Sequence, residues 1–129
     1  MEIRVYYEDT DCGGVVYYAN YLRYFERART EFLRSQGVDV AHWMTEGYLF
    51  TVADVHARYL ASAVYGDLLL IGTAVTDVGR VRFDLAHEIV RRSDGAVLVT
   101  GETTMACVKD GRPARIPAPI LETLATARG

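Results

Sequence analysis

Glu8, Asp9 and Asp11 place three carboxylates within four residues, and Gly13 and Gly14 follow directly. Residues 8–14 therefore read as a loop with unusual backbone freedom. An apolar periodicity typical of a helix begins a few residues later, so an acidic side chain comes to lie beside the unpaired N–H groups and positive dipole end of a helix start. Such a pair suits acyl transfer. The carboxylate can attack a carbonyl or activate water, and the N–H groups can stabilise the oxyanion that forms. A plainer role for Asp9 and Asp11 is to hydrogen-bond the backbone of a glycine turn, which aspartate does readily.

The other reactive side chains form no competing constellation. Cys12 and Cys107 make neither a CxxC pair nor a disulfide framework. Cys12 has acidic neighbours, whereas a reactive thiolate needs a cation or base. His42, His56 and His87 show no metal-ligand spacing, and no metal is expected. His87 shares an alternating face with Phe83, Leu85 and Ile89 and is expected in the core.

Positioning the loop requires a strand before it and a helix after it. Residues 2–7 alternate, with Ile3, Val5 and Tyr7 on one face. Over residues 18–34, Tyr18, Tyr21, Leu22, Phe25, Ala28 and Phe32 fall on one side and Arg23, Arg27, Thr30, Glu31 and Arg34 on the other, an amphipathic helix with Gly37 as its stop. Asn20 is an alternative N-cap. Glu26 and Arg29, three residues apart at the edge of the apolar stripe, are expected to pair. Residues 38–46 are weakly helical. Residues 49–60, 67–77, 81–91 and 96–109 are β-rich and separated by short turns, which predicts a four-stranded antiparallel meander. Asp54, His56 and Arg58 alternate on one strand face, suiting a polar surface or subunit interface. Residues 117–127 allow a terminal helix or a loose tail. The fold class is α+β, an antiparallel sheet wrapped around one long helix.

With 129 residues, half of them hydrophobic, the chain is expected to form a single domain over 1–129. Fourteen Lys+Arg against 17 Asp+Glu leave a net charge of −3, so nothing global favours nucleic acid. Residues 68–75 are far short of the roughly 20 apolar residues of a membrane span. The amino terminus lacks a secretory h-region, and two free thiols suit a reducing compartment; a cytoplasmic location is expected.

The run from Tyr7 through Glu8, Asp9, Thr10, Asp11, Cys12, Gly13, Gly14, Val15, Val16, Tyr17, Tyr18, Ala19, Asn20, Tyr21 and Leu22, continuing with Phe25, Glu26, Arg27, Ala28 and Arg29, closely resembles the hotdog-fold acyl-CoA thioesterases of the 4-hydroxybenzoyl-CoA thioesterase/YbgC type. Arg58, Tyr59, Ala63, Gly66 and Asp67 resemble that family's second motif, with Ser62 where proline is expected. The resemblance implies that Asp11 is the catalytic carboxylate and the Tyr18 backbone N–H the oxyanion donor, at a position where many relatives carry histidine. It implies that Gly13, Gly14, Val16, Arg58 and Tyr59 contact substrate, and that Asp9, Glu26 and Arg29 support the site. Coenzyme A would enter as part of the substrate and not as a cofactor, with acyl carrier protein an alternative thiol carrier. Arg80 and Arg82, clustered in sequence with Arg91 and Arg92, read either as solvated charges at a strand edge or as a site for the phosphates of coenzyme A. A homodimer or homotetramer is implied. The hotdog hydratases are the rival chemistry; they resemble an Asp followed closely by His, and no His precedes His42. A non-enzymatic acyl-binding dimer is a further alternative.

Overall fold

A computed structural model describes residues Met1–Gly129. Strand β1 (Glu2–Arg4) leads through a 3-10 turn (Tyr7–Asp9) to α1 (Asn20–Ser35), α2 (Val40–Thr45), β2 (Tyr48–Tyr59), β3 (Leu68–Val78), β4 (Arg82–Arg91), β5 (Val97–Lys109), β6 (Arg112–Pro113) and α3 (Ala118–Arg128). The main sheet runs β1-β3-β4-β5-β2, all antiparallel, with β6 paired to β5. This is the antiparallel sheet wrapped around a long helix that the sequence implies.

The expected four-strand meander is corrected to three strands. β3, β4 and β5 follow one another, but β2 pairs with β5 at the far edge. Residues 60–67 take their backbone partners from the end of the sheet instead of folding back on β2. The Leu60 and Ala61 amides donate to Leu98 O at 2.8 and 3.1 Å, and the Gly66 amide donates to Val5 O at 3.0 Å. A connection satisfied in this way crosses the sheet end without leaving buried backbone groups unpaired.

Helix α1 buries Tyr21, Tyr24, Phe25, Ala28 and Leu33, the stripe expected of helical periodicity. It stops where Gly37 takes φ +87°. The Gly37 amide donates to Arg34 O and the Val38 amide to Leu33 O, while Leu33 and Val38 share one apolar cluster. These are the paired bonds and apolar clasp of a Schellman stop. Glycine is also required at position 101, where a Cβ would come within 2.5 Å of the Phe25 ring; its absence lets α1 lie close on β5. The weak pattern over 38–46 resolves as α2, with the Asp39 carboxylate accepting the Ala41 amide at 3.0 Å. The carboxyl end resolves as α3, which buries Ile120 and Leu124.

The core falls into two apolar clusters. One lies beneath the first half of α1, around Phe25, Leu69 and Ile89. The other joins Leu33, Phe83 and Met105 to α3. Between them the inner face of the sheet carries the only two buried polar residues, His87 and Thr103. His87 stacks on Phe25 with ring centroids 4.7 Å apart, and its Nδ1 pairs with Thr73 Oγ1 at 3.1 Å.

Burial, helped by the nearby Arg29 charge, pushes the His87 pKa down to about 4. The unfolded chain therefore binds a proton at His87 near its ordinary value of about 6.5 while the folded chain does not. This contribution to stability is full above that value and is lost as the pH falls toward 4, by about 3 kcal/mol. In urea titrations across this range, the stability of His87→Gln should fall less steeply with acid than that of the wild type; parallel curves would show that His87 is not the responsible group.

Candidate active site

Asp9 closes the base of the acidic loop. Its Oδ2 accepts the Tyr6 amide at 2.8 Å, its Oδ1 accepts Asn20 Nδ2 at 3.0 Å, and its carbonyl accepts the Tyr17 amide at 3.0 Å. One residue thus clips the 3-10 turn to the start of α1. Within the clip, the Asp11 amide donates to Val15 O at 2.9 Å and the Gly14 amide to Asp11 O at 3.0 Å. Gly14 stands at φ +79°, a backbone region that side chains disfavour. Asp11 is exposed at the tip, and its Oδ1 accepts the Gly13 amide at 2.8 Å.

The helix begins at Asn20, two residues later than the Tyr18 start read from sequence, and Ala19 is its N-cap. Asn20 does not cap: it is the first residue inside the helix, and its Nδ2 donates to the Asp9 carboxylate. Tyr18 instead occupies the second position of a turn closed by the Asn20 amide on Tyr17 O at 2.8 Å. Its own N–H has no acceptor in the chain, and so remains available at the helix entrance with the dipole behind it.

Asp11 and Tyr18 share the wall of a hollow of about 300 Å3 completed by Val15, Val16, Tyr21, Tyr59, Leu60, Ala61 and Ser62. The Val16 amide donates to Ala63 O at 2.9 Å, and the Ala63 amide donates to the Tyr21 hydroxyl at 3.0 Å. Loop, helix and the 60–67 segment are thereby locked together. Behind the hollow, Arg91 binds Ser62 O at 2.9 Å, Asp67 at 3.2 Å and Asp94 at 2.9 Å. A carboxylate and a free amide bordering an apolar hollow can bind an acyl group, polarise its carbonyl and attack it.

The sequence model of the thioesterase-like superfamily matches residues 5–124. The chain belongs to that superfamily. It is 39% identical over 111 residues to the acyl-CoA thioesterase YbgC of Haemophilus influenzae, covering 85% of this chain and 80% of the relative. Among solved structures, a protein from Thermus thermophilus superposes with a TM-score of 0.94 at 28% identity, covering 98% of this chain and 97% of the other. A 1,4-dihydroxy-2-naphthoyl-CoA thioesterase from Synechocystis superposes with a TM-score of 0.90 at 25% identity, covering 97% and 93%. The architecture is therefore the hotdog fold.

In this thioesterase the other residues singled out by sequence separate. Gly13, Gly14 and Val16 lie in the Asp11 loop or on the hollow's wall, and Tyr59 faces inward with its ring centroid 6.3 Å from that of Tyr18. Strand alternation sends Arg58 to the outer face of the sheet, beside His56, Glu88 and Glu102. The arginine cluster is split. Arg91 and Arg92 stand at the hollow's end of β4, and Arg91 is consumed by the floor, whereas Arg80 and Arg82 stand at the other end of this ten-residue strand, about 30 Å away. One chain does not bring Arg80 or Arg82 to Asp11. The expected Glu26–Arg29 pair does not form: Glu26 accepts the Thr30 hydroxyl at 3.2 Å, and no ion pair to Arg29 is present.

Sequence reading passed over the Tyr21 hydroxyl, the Ala63 backbone and Asn20 as Asp9's partner. Tyr21 was legible only as an apolar helix residue, and the role of Ala63 depends on a contact across 42 positions.

Proposed function

We infer that this thioesterase hydrolyses acyl-CoA thioesters to a carboxylic acid and free coenzyme A. The observation that carries the reading is the exposed Asp11 carboxylate sharing one apolar hollow with the acceptor-less Tyr18 amide. Relatives named as acyl-CoA thioesterases point the same way.

The thioester carbonyl lies toward the Tyr18 N–H, which draws electron density onto its oxygen. Asp11 then acts in one of two ways. Its carboxylate attacks the carbonyl carbon, the C–S bond breaks, the thiolate leaves, and water opens the resulting mixed anhydride; or Asp11 takes a proton from a water that attacks directly. Single turnover in heavy-oxygen water separates the routes, since label entering Asp11 requires the anhydride.

The hollow is open on the side of β2. This edge strand of 12 residues is exposed along most of its length, with Val52, Val55 and Tyr59 unroofed. A bare apolar edge is a template for pairing, and a second copy set edge to edge would roof the hollow. A homodimer, or a homotetramer built from it, is accordingly part of this reading, and sedimentation should return a multiple of 14.4 kDa; a monomer that turns over fully would refute it.

A panel of acyl-CoA thioesters, read by release of free thiol, tests the activity. Release above the uncatalysed rate is expected for at least one acyl class. Failure across aromatic, short-chain and long-chain members would overturn the assignment.

A further inference from the structure

The segment between β2 and β3 supplies Leu60, Ala61 and Ser62 to the wall of the Asp11 hollow, and no helix or strand holds it there. Backbone groups fix its flanks. Leu60 and Ala61 both donate to Leu98 O, while Ala63 accepts the Val16 amide and donates to the Tyr21 hydroxyl. Ser62, between them, makes no backbone hydrogen bond. Its carbonyl has a single partner in the chain, Arg91 Nη2 at 2.9 Å.

The same guanidinium holds the turn that follows. Arg91 Nε donates to Asp67 Oδ2 at 3.2 Å, and that oxygen also accepts the Val64 amide at 3.0 Å. Arg91 is itself a fixed post. Its backbone pairs with Leu69 in the sheet, its amide donates to Ala96 O at 2.9 Å, and its Nη1 donates to Asp94 at 2.9 Å. Three acceptors around one planar fork leave the side chain little freedom to reorient. The Arg91 and Asp67 side chains remain 23% and 17% exposed, and ion pairs that touch water contribute little to folding. Their effect on geometry is larger. A thioester carbonyl must meet Asp11 and the Tyr18 amide together, and a displacement of about 1 Å in such a site can cost about a hundredfold in rate.

We propose that Arg91 is a positioning residue of the hydrolysis: through the Ser62 carbonyl and Asp67 it sets the wall that holds the acyl group toward Asp11 and the Tyr18 amide. The assignment rests on the thioesterase reading of that site and adds a residue outside it on which its geometry depends. Arg91 does not line the hollow, so it acts through residues 60–67.

The test measures kcat and KM of Arg91→Met, Arg91→Lys and Asp67→Asn with the smallest and the largest acyl-CoA of the panel that the wild type hydrolyses, and records the melting temperature of each variant. Arg91→Met should lower kcat/KM for the larger acyl group by about ten- to hundredfold, and by a clearly smaller factor for the smaller one, which makes less contact with the wall. Arg91→Lys should recover part of the loss, since an ammonium serves one acceptor where the fork serves three. Asp67→Asn should move the ratio of the two substrates in the same direction, and these two variants carry the test should Arg91→Met fail to fold. Partial unfolding lowers the active fraction equally for every substrate, so the ratio separates positioning from stability. Wild-type ratios in the folded variants would overturn the proposal and leave the thioesterase reading standing, whatever the melting temperatures. Absence of hydrolysis by the wild type for every thioester would overturn both.

Discussion

Asp11→Asn should lower kcat for thioester hydrolysis by a factor on the order of 10²–10⁴, the range that a positioned proton-transfer group supplies, while acyl-CoA affinity and thermal stability change little. Asparagine keeps the acceptor oxygen that receives the Gly13 amide, so the loop retains its shape. The site is exposed, so no buried group is orphaned. What is lost is the negative charge that attacks carbon or deprotonates water. Thiol release measures the rate, and calorimetric titration with a non-hydrolysable acyl-CoA thioether measures affinity. A variant with wild-type turnover would remove Asp11 from the mechanism.

Tyr18→Pro is expected to be the next most damaging change, with kcat reduced by about 10²–10³, as for removal of a single oxyanion donor. The substitution deletes the N–H together with the Tyr18 ring, which packs edge-on against Tyr17 and Tyr59. Position 18 is the second residue of the turn closed by Asn20 on Tyr17, and Ala19 follows at φ −68°, ψ −19°; proline is favoured at that place in such a turn. The Tyr18 amide donates to nothing in the chain, so its loss breaks no structural hydrogen bond, and the melting temperature should hold. Tyr18→Ala, which loses the ring but keeps the amide, should retain most activity. Equal losses in the two variants would assign the effect to the side chain.

The contrast between these residues and the arginines follows from how far each structural decision reaches along the chain. Asp11, Gly13 and Gly14 form a local turn, and the stop at Gly37 needs only the residues from Leu33 to Val38. The buried stripe of α1 follows from helical spacing. All of these were legible because their partners lie within one or two turns of chain. The actual helix start was not, since the Asp9 carbonyl that holds the Tyr17 amide and the Asp9 carboxylate that holds Asn20 lie eight and eleven positions back along the chain. Glu26 and Arg29 were close enough in sequence to pair, and yet Glu26 accepts the Thr30 hydroxyl and forms no ion pair with Arg29.

Alone, then, the sequence determined an α+β chain with one long helix, an acidic glycine loop at its entrance and a histidine in its core. Tertiary structure decided that β2 lies at the edge beside β5, that Arg80 and Arg82 stand a strand's length from the hollow's end of β4, and that Asp11 and the free Tyr18 amide share one hollow. Strand order depends on backbone partners far apart in the chain, and local pattern does not encode which edge a strand will find.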